Sequence, residues 1–137
     1  ASGSELAAIN GVIQTIVALS SWAPALVVVG DLQNARGKLE EVVRMAEEAA
    51  HPPTLCVVLC TLANEYFPLT GEVGKCEEFA LRALNIAHQY DLGHCTSLAN
   101  RAKRWACNPR INAHFSMLHE GNILSERENL DLDEDMP

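Results

Sequence analysis

Cysteine and histidine offer most of the chemistry available to this sequence, and their spacing decides how little of it is expected. The cysteines are Cys56, Cys60, Cys76, Cys95 and Cys107, and no two form a C-x-x-C pair. The histidines are His51, His88, His94, His114 and His119. Tetrahedral zinc needs four converging ligands, usually supplied as two closely spaced pairs. His94 and Cys95 can supply one pair beside the Gly93 turn, but the spacing specifies no second, so no metal and no cofactor is expected. Nucleophilic catalysis by cysteine needs a thiolate activated by a neighbour in an exposed pocket. Each cysteine falls instead on an apolar helical pattern or a turn, and no loop suggests an oxyanion hole. An odd number of unpaired thiols reads as a reducing compartment, intracellular and either cytoplasmic or nuclear.

Other catalytic signatures fail for local reasons. Gly71-Glu72-Val73-Gly74-Lys75 lacks the spacing of a phosphate-binding loop and follows a helical pattern rather than a strand. Glu40-Glu41 and Glu77-Glu78 sit at helix starts, where the macrodipole favours negative charge, and are not an acid–base pair. The expectation is a chain that is not an enzyme.

Composition narrows the partners. A hydrophobic content of 48 % excludes a mostly disordered chain. Aromatic residues make up only 5 %, so the core must come from Ala, Leu, Val and Ile, a mix suited to closely packed helices. Net charge is −8, but Glu120, Glu126, Glu128, Asp131, Asp133, Glu134 and Asp135 against Arg127 account for −7 + 1 = −6 of it. Residues 1–119 therefore read as a helical domain of about −2, and residues 120–137 as an acidic, disordered tail. Nothing in that balance favours nucleic acid. Residues 6–19 are apolar, but Asn10, Gln14 and Thr15 interrupt them and the stretch is too short to span a bilayer, so no membrane is expected.

The elements that must carry these residues are cut out by their breakers. Helices are expected over residues 5–20, 22–36, 38–50, 54–67, 73–90 and 96–108, with a last short one over 111–119. Pro24 suits the first turn of the second, Gly37 its end, and Pro52-Pro53, Pro68-Gly71 and Gly93 the later boundaries. The fold class is all-α, with six to seven helices in antiparallel pairs.

Self-similarity organises these helices. Gly37-Lys38-Leu39-Glu40-Glu41 recurs as Gly74-Lys75-Cys76-Glu77-Glu78. Apolar residues follow each copy along one helical face: Val42, Ala46 and Ala49, then Ala80, Leu84 and Ala87. Leu62-Ala63-x-x-Tyr66 precedes the second copy, Val29-Gly30 the first, and Ala102-x-x-Trp105 begins a third unit. Over roughly residues 22–107 this pattern resembles the tetratricopeptide repeat family, as about two and a half degenerate repeats. Gln33 departs from it where an aromatic belongs, and Pro109 cuts the third repeat short.

The resemblance implies a short α-solenoid whose first helices line a concave groove for another protein's peptide or amphipathic helix. Asp31, Asn34, Asn64, Phe67 and Lys103 would lie along that groove, with Phe67 the apolar anchor and the asparagines bonding to backbone. Arg101 and Arg104 share a helix face and offer a seat for a carboxylate-rich segment. A chaperone-tail clamp is not expected, because Asp31 stands where that subfamily has an amide, and Thr61, Thr96 and Asn100 replace its other groups. Two further classes stay open: a subunit that assembles with a sister chain through its apolar first helix, and a ligand-sensing domain of a helical-repeat regulator.

Overall fold

The computed structural model describes residues 3–108, and all regular structure among them is helical. In chain order come α1 (Gly3–Val28), α2 (Leu32–Glu48), α3 (Pro52–Thr61), a π-helical turn (Leu62–Tyr66), α4 (Phe67–Thr70), α5 (Val73–Gln89) and α6 (Gly93–Cys107). The chain from Pro52 to Thr70 is uninterrupted, so the described residues form five helical rods. The expected helix over 111–119 and the tail over 120–137 lie outside the described residues.

Each of the four junctions between rods turns on one left-handed residue. These are Gly30 (φ 87°), Ala50 (φ 49°), Gly71 (φ 76°) and Asp91 (φ 55°). At three of them the following N–H reaches back five residues to cap the helix: Asp31 to the Leu26 carbonyl, Glu72 to Phe67, and Leu92 to Ala87. A left-handed residue lets the chain reverse while these otherwise orphaned carbonyls are satisfied. Asp31 then caps α2, its carboxylate accepting from the Asn34 backbone N–H (3.3 Å) and from the Asn34 side-chain amide (2.7 Å). His51, Pro52 and Pro53 open α3, where proline's missing N–H costs nothing.

Two expected boundaries are corrected. Pro24 does not begin a helix; it lies inside α1, which runs unbroken past Ser20 and Trp22. A proline there removes the donor to the Ser20 carbonyl. The loss is tolerated because Ser20, Ala23, Pro24 and Val27 are all buried against the remaining rods, which holds this stretch helical. Nor does Gly37 end a helix. It sits in the first half of α2, and Gly30 makes the break instead.

Running unbroken, α1 is 26 residues long with a mean hydropathy of 1.7 over its most apolar window, enough by length and composition to cross a bilayer. The shorter helix expected over this region was not. The second half of α1 buries one face, with Ile16, Ser20, Ala23, Pro24 and Val27, against the other rods. Its first half does not bury such a face: among the described side chains Ile16 is the first that is fully buried, while Ile9 is 53 % and Val12 51 % exposed.

Sequential rods lie side by side. α1 packs along α2, the α3–α4 rod along α5, and α5 along α6. α1 also touches α3 and the π turn, and these touch α6 in turn. Alanines at 23, 35, 46, 63, 80, 83, 87, 99, 102 and 106 are buried at the crossings, where their small size lets the rods approach. Leu59, Leu62, Val58, Val42 and Ile16 fill the space between.

Candidate functional site

A concavity of about 1150 Å³ opens between the second half of α1, the π turn with α4, and α6. Pro24 and Ala63 form part of its floor, Pro68, Leu69 and Trp105 supply further apolar surface, and Arg101 and Arg104 stand at the α6 edge. Leu69 is 37 % exposed, and both arginines are exposed. Four ion pairs are formed within the described residues, Lys38–Glu41, Arg44–Glu48, Lys75–Glu78 and Arg82–Glu47, and none uses Arg101, Lys103 or Arg104. Glu65 lies on the opposite rim as the groove's acid. The surface is an apolar trough with a cationic edge.

The expected site residues divide among several places. Asn64, Arg101 and Arg104 come together on the groove. The Asn64 amide is committed within the chain, donating to the Cys60 carbonyl (2.9 Å) and across to the Leu98 carbonyl on α6 (3.0 Å). It ties the π turn to α6 and so shapes the groove. Lys103 is exposed on an adjoining concavity of about 570 Å³, which Arg104 shares. Asp31 and Asn34 bond to each other at the α1–α2 turn and do not line the groove.

Phe67 lies in the core, not on a surface. It is 2 % exposed and meets Tyr66 and Phe79 edge-on, with centroids 5.2 Å and 4.8 Å away. It therefore offers no contact to a partner. The repeat resemblance put Phe67 on the groove, but the π turn rotates the chain just before it. Pro24, Pro68, Leu69 and Trp105 went unnoticed as groove residues because two of them read only as helix breakers.

A second constellation lies inside the molecule. Cys56 and Cys60, one turn apart on α3, meet Cys95 from the first turn of α6, and the three Sγ atoms lie within 4.8 Å of one another. All three side chains are buried. The Cys56 thiol points at the Ala83 carbonyl (3.4 Å) and the Cys60 thiol at the Cys95 carbonyl (3.5 Å). Burial, reinforced by Cys95 and Cys60, pushes the Cys56 thiol far up, and burial reinforced by Cys95 pushes the Cys60 thiol to about 12. His94, the expected companion of Cys95, is exposed and stands outside this cluster. Two of these thiols share a face that the sequence displays; the third arrives only when α6 folds back on α3.

Compared with known proteins, the chain matches no family model, no curated protein and no solved structure.

Proposed function

We propose that the chain is a non-enzymatic protein-binding module whose groove holds a short segment of another protein. The observation that carries this reading is the groove itself, bounded by α1, the α3–α4 rod and α6. These are the first, third and fifth rods of the chain, the alternate members that line the concave side of a helical-pair solenoid. The side-by-side order of the rods supports a tetratricopeptide-like build. An apolar floor, edged by arginines that form no ion pair among the described residues, suits an amphipathic helix or extended peptide that presents apolar residues beside carboxylates.

Peptide-display selection on the full chain tests this. Selected peptides should combine apolar and acidic residues. They should bind Leu69→Glu and the Arg101→Glu/Arg104→Glu pair at least about tenfold more weakly, with an unchanged far-UV spectrum. Peptides that bind these variants as well as the parent, or a selection that yields no enriched pattern, remove the proposal.

A second reading rests on a different observation, the exposed apolar first half of α1. Ile9 and Val12 form surface that water does not favour, so assembly with a sister chain along α1 is the competing role. Analytical ultracentrifugation of the parent and of Ile9→Glu/Val12→Glu separates the two. A dimer lost in that variant, together with no selected peptides, would favour assembly. A small-ligand sensor is disfavoured, because its pocket should be enclosed and this trough is open.

A further inference from the structure

We infer that Cys56, Cys60 and Cys95 form a three-sulfur site for a soft, three-coordinate ion, and that trivalent arsenic is the class it takes best. Three thiolates bound to one pyramidal centre at about 2.3 Å, with angles of about 100° between the bonds, lie about 3.5 Å apart. The sulfurs already lie within 4.8 Å of one another, so binding requires them to close by no more than about 1.3 Å. Two ligands sit on consecutive turns of one helix and the third on a helix packed against it. The core is therefore preorganised for three ligands.

Charge selects among the soft ions. Among the described residues, the ionisable groups acting on Cys56 and Cys60 are the other cysteines of the triad, with no Lys, Arg or His among them. Three thiolates around Zn²⁺ would leave one uncompensated negative charge in the core, and around Cu⁺ two, which burial disfavours. Zinc also requires a fourth ligand. The groups already touching these sulfurs are the backbone carbonyls of Ala83 and Cys95, poor replacements for a thiolate or imidazole. Arsenous acid avoids both difficulties. As(OH)₃ and three thiols give As(SR)₃ and three waters: three As–O and three S–H bonds break, three As–S bonds form, and each departing hydroxide leaves with one thiol proton. Nothing is oxidised or reduced, and the product is neutral like the core around it.

The fold also provides a way in. Cys95 is the third residue of α6, whose N-cap Leu92 makes no side-chain capping bond and follows Asp91 in a left-handed conformation. Helix ends without side-chain caps open more readily than helix centres. Fraying of this turn exposes Cys95 first, then Cys60 behind it. Entry should be slow and retention long.

The experiment uses the full chain, reduced and freed of small thiols, incubated with arsenite and desalted before elemental analysis. One arsenic per chain is expected, with three sulfur neighbours in the X-ray absorption spectrum. Cys56→Ser, Cys60→Ser and Cys95→Ser should each cut retention by more than about tenfold, whereas Cys76→Ser and Cys107→Ser retain it. Where a serine variant fails to fold by circular dichroism, the sulfur count on the parent protein decides alone. The inference is overturned by failure of the parent to retain arsenic, by a coordination of fewer than three sulfurs, by equal losses in the Cys76 or Cys107 variants, or by stronger retention of zinc than of arsenic.

Discussion

The Cys76 thiol lies 3.2 Å from the carbonyl oxygen of Ala63, and that carbonyl is one the π turn leaves without its usual partner. In an α-helix Ala63 would accept from the Phe67 N–H, but in the π turn that N–H goes to Leu62 instead. The next donor along is residue 68, a proline with no N–H to give. A side chain from α5 fills the gap, and Cys76 is fully buried where it does so. The π turn, Pro68 and Cys76 thus form one unit: the proline favours the wider turn, and the thiol answers the carbonyl it strands.

Cys76→Ala is therefore expected to destabilise the fold by about 1–3 kcal/mol, because it leaves a buried acceptor unpaired as well as opening a small void. Cys76→Ser restores a donor and should recover part of that loss. Urea unfolding of the three proteins checks the order: parent most stable, serine next, alanine last. If alanine is at least as stable as serine, the thiol acts as apolar filler alone.

Two glycines predict opposite outcomes. Gly37 lies inside α2, where a glycine costs about 1 kcal/mol relative to alanine, and an added Cβ meets nothing within 4 Å. Gly37→Ala should stabilise by about 0.5–1 kcal/mol. Gly30 also has open space around it, yet its φ of 87° is strained for any side chain, so Gly30→Ala should destabilise by about 1 kcal/mol. Thermal midpoints that shift in the same direction for both would contradict the assigned roles.

These two residues also show where the sequence was legible. Its helical class, the absence of strands among the described residues, and the breaks at residues 50–53, 71 and 91–93 followed from periodicity and breakers. The boundary at residue 37 did not, because the recurrent Gly-Lys-x-Glu-Glu suggested that both copies open a helix. Only Gly74 does, as the second residue of α5. Tertiary burial of Ala23, Pro24 and Val27 overrode the local cost of proline and moved the break to Gly30. The groove arginines were readable as one face of a helix. The burial of Phe67 was not, since it depends on a π turn that no local pattern announces.

Alkaline pH should weaken the fold through buried thiols that stay neutral. Burial chiefly, with the negative charges of Cys107 and Glu77 adding to it, raises the Cys76 thiol from 9.0 to about 11. In the unfolded chain this thiol releases its proton near the lower value, so between the two the folded state binds more protons. Its contribution to stability is complete below about pH 9 and is lost as pH rises toward about 11. Urea midpoints measured across this window should fall with pH, and fall less steeply in Cys76→Ser. The same burial predicts that Cys107, the exposed thiol, reacts with a disulfide reagent near neutral pH well before Cys76 does.

Phe67→Ala should behave as a core mutation, costing about 3–5 kcal/mol, because the side chain sits edge-on between Tyr66 and Phe79 with no surface to present. Asn64→Ala should behave differently. Its amide joins the Cys60 carbonyl to the Leu98 carbonyl on α6, part-buried, so its loss should cost about 1–2 kcal/mol. Loss of that bridge acts on the seam between the π turn and α6, which is one wall of the groove. Hydrogen exchange should therefore quicken in α6 around residues 98–102 while α2 is unaffected. Selected peptides should bind Asn64→Ala more weakly even at temperatures where its far-UV spectrum matches the parent. Uniform acceleration across α2 and α6 would instead mark Asn64 as a general stabiliser with no special hold on the groove.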